Sequence, residues 1–194
     1  MGILDRFKSA LPEVPVGPEH GDLVNTRVRE MVALPSDSLT DGVAGIVREL
    51  VRGELFDASR DFRAALGIDD EALATELYLH TWVGFLLAVA AHADRARGLT
   101  MLEPYQQALR PFVGVGHRER YDAGPGPLLR TAEKIAIGGR DPRHVVLGLL
   151  PMRFGVAWRR GASEGLIRLA VLAQMAGYGA GELAWTRAEG TVDA

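Results

Sequence analysis

The sequence predicts an all-α protein: a single globular bundle of about eight helices, counted from the periodicity of apolar residues, around one buried central helix. Three observations carry this. Seventeen residues, Leu77 to Ala93, pass without a single Asp, Glu, Lys or Arg. Elsewhere apolar residues recur at helical rather than alternating spacing. Between those stretches stand Gly, Pro and capping residues of the kinds that start and stop helices.

The central helix is predicted from Asp69 to about Arg97. Asp69, Asp70 and Glu71 stand at its start and Arg95 and Arg97 at its end, which suits the helix dipole at both termini. Its uncharged part matches the short limit for a membrane span, but His80, Thr81 and His92 interrupt it and interfacial anchors are missing. A helix apolar all round is otherwise the centre of a larger helical fold.

The remaining elements follow in order. Ile3, Leu4, Phe7, Ala10 and Leu11 share one helical face, so residues 1–11 form a short amphipathic helix. Such a segment is too short to be stable alone and must dock on its own body, a partner's groove or an anionic membrane. Pro12, Pro15 and Pro18 make residues 12–21 an extended linker. The globular domain then covers residues 22–190.

Val24, Val28, Met31 and Val32 form a stripe that Pro35 ends. Val43, Ile46, Val47, Leu50 and Val51 give the cleanest amphipathic pattern in the chain. A helix over 54–66 stops at Gly67 and Ile68, with Asp69 capping the next, and so short a connection predicts an antiparallel pair. Thr100 and Glu103 have capping-box spacing for a helix that Pro111 closes. Residues 113–127 hold four glycines and two prolines and read as the longest loop of the body. A helix over 128–137 follows. Asp141 and Pro142 open the next, which runs to about Arg160 with a kink at Pro151. Ser163 caps the last, to about Ala188, whose Ala173, Ala176, Gly177, Gly179, Ala180 and Gly181 invite close approach of a neighbouring backbone.

Composition narrows the chemistry. The chain has no Cys, which excludes disulfides, thiolate metal sites and thiol nucleophiles. Net charge is −3, with 20 of 22 basic residues Arg, and the first 97 residues are acidic where the rest are basic. No signal peptide is visible, and the expected location is cytoplasmic.

Glu76 and His80, four apart on one face of the central helix, are candidate ligand-binding residues together with Arg153. Arg153 stands alone among apolar residues from Leu147 to Trp158 and needs a carboxylate such as Glu76, Asp94 or Glu182. His92 lies twelve residues beyond His80, roughly 18 Å along the helix, so the two cannot share an ion. No metal site or catalytic residue is predicted. Arg118, Arg120 and Arg130 near loops and helix starts are candidate anion contacts. Gly161 to Gly165 match Gly-x-Ser-x-Gly, but no strand precedes them and no His follows, so Ser163 is read as a cap. Phosphate-loop and dinucleotide patterns are missing, and no cofactor is legible.

The function expected from these features is a non-enzymatic helical interaction or scaffold protein that self-associates. It would dock on a protein partner through Ile3, Leu4, Phe7 and Leu11 or through the 113–127 segment. Nucleic acid is not expected as a partner; peripheral membrane contact through residues 1–11 and a small anionic ligand are the other options. The alternative function is a small-molecule or metal-binding bundle with a polar pocket near Glu76, His80 and Arg153.

Overall fold

The computed structural model describes residues 14–92, 96, 99–136 and 142–190. Within them the chain is all-α, without a strand. The α-helical segments are α1 (Pro18–Val32), α2 (Leu39–Glu49), α3 (Leu55–Ala58), α4 (Arg60–Leu66), α5 (Asp70–Ala91), α6 (Leu102–Leu109), α7 (Arg118–Asp122), α8 (Gly126–Ile135), α9 (Pro142–Arg153) and α10 (Arg160–Gly190). The predicted helix over residues 1–11 lies outside the described residues.

The linker is shorter than its prolines suggest. Pro18 occupies the first turn of α1, where a missing N–H costs nothing, and the Gly17 N–H donates to His20 Nδ1 at 3.2 Å. Val16 is buried, and Arg168 donates to its carbonyl at 3.0 Å, tying the approach to α1 onto α10.

In α2 the predicted stripe turns inward, with Leu39, Val43, Ala44 and Val47 buried. A π-helical turn, Leu50–Glu54, carries α2 straight into α3, so the break expected near Glu54 falls at Ser59 instead. Helix α4 ends as read from Gly67: this residue has φ 63°, its N–H bonds to Ala64 O at 3.2 Å, and the Ile68 N–H bonds to Arg63 O at 3.0 Å. Asp69 then caps α5, accepting from the Ala72 N–H at 2.7 Å.

Helix α5 is the centre of the molecule, with every residue from Leu73 to Phe85 buried. It is long and apolar enough to cross a membrane by composition, yet 83% of its apolar window is covered by the chain's own helices. It ends at Ala91, short of Arg97, because His92 turns extended. Its most extensive neighbour is α10, rather than α4 across the short connection. His80 beside Gln174, Ala88 beside Gly181 and His92 beside Trp185 show that α5 and α10 run parallel.

The two helices touch backbone to backbone. A Cβ on Gly177 would stand 1.8 Å from Thr81 O, and one on Gly84 would stand 2.0 Å from Gln174 O. Only hydrogen fits at either position.

Three boundaries correct the sequence reading. Residues 113–127 are not a long loop: a 3-10 turn, Val115–His117, leads into α7, and α8 starts at Gly126. The anchor is Tyr121, fully buried against Trp82 with ring centroids 4.5 Å apart. Helix α9 stops at Arg153 instead of kinking and continuing to Arg160. Pro151 lies in its last turn and Gly155 takes φ 66°, which ends a helix cleanly. Ser163 lies inside the first turn of α10, which starts at Arg160, so it does not cap the helix.

Candidate functional site

Glu76 is carried on the second turn of α5, where its side chain is 3% exposed. A carboxylate so enclosed needs charged partners. Arg120, from α7, grips it with both arms of its guanidinium: Nε donates to Oε1 and a terminal nitrogen to Oε2, each at 2.9 Å. Arg153, at the end of α9, adds a third bond from Nε to Oε1 at 3.3 Å. One carboxylate thus holds two helices against the core.

Of the three residues expected to converge, Glu76 and Arg153 are in direct contact. His80 sits one turn further along, completely buried, with Nδ1 3.0 Å from Gln174 Nε2. The Gln174 amide donates there, which leaves the proton on Nε2, and Nε2 has no hydrogen-bond partner. Burial holds the imidazole pKa down at about 4, an effect that the Glu76 charge opposes and the Arg120 charge assists. A neutral ring with one bonded nitrogen is a satisfied core residue along one edge and an orphan donor along the other.

Around this polar row lies an aromatic one. Tyr78 and Trp82 on α5 meet Tyr121 edge-on at 6.5 and 4.5 Å, and Phe85 stacks on Tyr105 at 5.5 Å. The Tyr121 hydroxyl donates to Gln106 O at 2.9 Å and that of Tyr105 to Thr81 Oγ1 at 3.1 Å. Burial pushes the Tyr78 hydroxyl up to about 12 and raises those of Tyr105 and Tyr121 further. Trp82 Nε1 and Tyr78 Oη are buried without a hydrogen-bond partner.

The three candidate anion contacts do not act together. Arg120 is committed to Glu76, Arg118 buries an unpartnered Nε, and Arg130 is exposed on α8. His92 lies apart from His80, bonded to Glu182 at 3.1 Å and stacked on Trp185 at 4.4 Å. Among the described residues, no group of His, Asp and Glu has the geometry of a metal site. A concavity of about 340 Å³ lies elsewhere, lined by Val16, Pro18, Arg168, Val171 and Leu172.

Compared with protein families, curated proteins and solved structures, the chain finds no match.

Sequence reasoning missed Arg120 and Gln174 as partners of Glu76 and His80, since both come from helices far away in the chain. It also passed over Trp158, which is 82% exposed between α9 and α10. An aromatic residue beside Gly155 in a helix-ending turn is the signal that marks it.

Breaking the carboxylate clamp gives a direct test of its role. Glu76→Gln keeps the shape but leaves two guanidinium groups without a counter-charge. Because both arginines reach solvent, the expected loss is about 2–3 kcal/mol rather than the full cost of a buried orphan charge. Urea unfolding should show it as a lower midpoint with unchanged slope, and an unchanged midpoint would remove the clamp.

Proposed function

We propose that this chain is a non-enzymatic helical interaction protein, acting through its surface on a rigid core. What supports this reading best is where the apolar side chains are left bare. Trp158 is 82% exposed, Val115 78% and Met152 55%, each held on a short turn or helix end against a packed body. Large apolar groups displayed on rigid elements are the usual anchors of docking surfaces. The predicted N-terminal face of Ile3, Leu4, Phe7 and Leu11 would add to them.

The polar cluster supports the same view. Both oxygens of Glu76 are occupied by arginines, and His80 is walled in. Such a cluster joins α5, α7 and α9, which is a structural task.

Sedimentation velocity over a wide range of protein concentration, with a thermal-shift screen of divalent metals and metabolites, tests the reading. Reversible self-association that Trp158→Ala or Val115→Asp weakens, without loss of thermal stability, is expected. A metal or metabolite that raises Tm, and no longer does so in His80→Ala, would instead establish the ligand-binding alternative.

A further inference from the structure

The chain leaves the Glu76 clamp at Arg120 and comes back to it at Arg153, and the Nε atoms of both arginines lie within 3.3 Å of the same Oε1. What lies between them is therefore fastened to the body at one place. Two glycines with left-handed backbone bracket α8 and α9. Gly124 has φ 67° and closes α7, its N–H bonding to Tyr121 O at 2.9 Å, and Gly155 has φ 66° and closes α9. Residues with side chains rarely enter that region, so each glycine is a point where the chain can change direction.

The two fastenings differ in strength. On the side of Arg120 the chain is held firmly, by two bonds of 2.9 Å to Glu76 and by Tyr121, fully buried against Trp82. On the side of Arg153 there is one bond of 3.3 Å, from a side chain that is 54% exposed. Packing repeats the inequality. Among the described residues α8 has its most extensive contact with α9, and α9 with α8 and then α10, whereas α10 is bound above all to α5. Within α8 itself only Leu128 and Ala132 are buried. The two helices are thus attached to each other more firmly than to the body.

We propose that α8 and α9 detach from the body as one cooperative unit, turning at Gly124 and Gly155 with the Arg153 to Glu76 bond as the latch, while α5 and α10 stay folded. A segment whose ends are pinned at one point can leave without stretching the chain on either side. What it uncovers is apolar, because Val146, Leu149 and Leu150 of α9 are buried in the closed protein. Such an opening goes beyond the docking surfaces proposed above: it adds a face that exists only while the latch is undone.

Hydrogen exchange of the full chain, followed by mass spectrometry at low urea concentrations, tests this. Helices of 10 and 12 residues do not hold their hydrogen bonds alone, so detachment lets their amides exchange. The expected result is that α8 and α9 exchange together, roughly tenfold or more faster than residues 77–83 of α5. Their exchange should also depend less on urea, since their opening exposes less surface than unfolding does. Two variants separate the unit from the body. Val47→Ala makes a cavity in α2, whose extensive contacts do not include α8 or α9; it should speed exchange in α5 and leave α8 and α9 unchanged. Arg153→Gln should speed exchange in α8 and α9 by roughly two- to fivefold, the worth of one half-exposed ion pair.

Exchange of α8 and α9 at the rate of α5, with the same urea dependence, overturns the proposal, since the chain then opens only as a whole. So does Val47→Ala if it speeds all three helices alike. Exchange in α8 well ahead of α9 reduces the opening to the fraying of one helix and overturns the unit. Rates in α8 and α9 unmoved by Arg153→Gln overturn the assignment of the latch to Glu76.

Discussion

Gly177→Ala is expected to lower the stability of this protein by about 3 kcal/mol or more, at the upper end of what overpacking costs. The sign is the informative part. Replacing a helical glycine with alanine ordinarily stabilises by about 0.5–1 kcal/mol, because the unfolded chain loses freedom. At Gly177 the new methyl would stand 1.8 Å from the Thr81 carbonyl oxygen, and the obstacle is backbone that no side-chain rotation can clear. Helices α5 and α10 would have to move apart along their whole contact. Gly45, within α2, has nothing within 4 Å of its would-be Cβ, so Gly45→Ala should show the ordinary gain. Urea unfolding of the two variants beside the parent decides the matter: if both shift the same way, the close backbone contact does not exist.

Acid should weaken the fold through His80. Its pKa is about 4 in the folded protein against 6.5 for the free side chain, so the unfolded chain takes up the proton first. Keeping this ring neutral contributes stability in full above pH 6.5, and that contribution is lost as pH falls towards 4. The difference of roughly two and a half pH units sets a ceiling of about 3 kcal/mol on the loss. Glu76, Arg120 and Gln174 are the polar groups that face the ring, and of these only Gln174 bonds to it. Carboxylates in ion pairs, such as Glu71 with Arg52 and Asp122 with Arg110, have pKa values held below the usual range and lose their contribution at lower pH still. The comparison that isolates the histidine is His80→Phe, in which unfolding between pH 6.5 and 4 should take up about one proton fewer. Identical pH profiles for parent and variant would mean that the ring is not enclosed.

Much of the fold was legible because its signals are local. The uncharged run through Leu77, the stripe of Val43 and Val47, the stop at Gly67 and the cap at Asp69 each depend on residues within a few positions. The small residues of α10 announced a close neighbour, and Gly177 found one. What local pattern misjudged were elements fixed from afar. Residues 113–127 look like a loop by their glycines and prolines, yet Tyr121 packs edge-on against Trp82 and Arg120 bonds to Glu76, both on α5, and so pull α7 into shape. Pro18 reads as linker, but a proline at the first helical position starts a helix as readily as it breaks one. The partner of Arg153 could be narrowed to Glu76, Asp94 or Glu182 because few carboxylates were available to a lone arginine, and it is Glu76. Arg120 and Gln174 could not, since nothing in sequence spacing links residues 44 or 94 positions away.

The parallel contact of α5 with α10 also sets an order of events on the ribosome. A helix completed by residue 91 must wait for a partner that begins at residue 160. Until that partner has been made, the most apolar segment of the protein lacks its most extensive cover. Contacts spanning so much chain are slow to form, and a nascent chain that exposes such a helix is a natural client for chaperones. The same glycines that let the finished helices touch leave the growing chain with a bare strip of backbone and Leu, Val and Phe side chains. Synthesis, rather than the folded state, is where this sequence is most vulnerable.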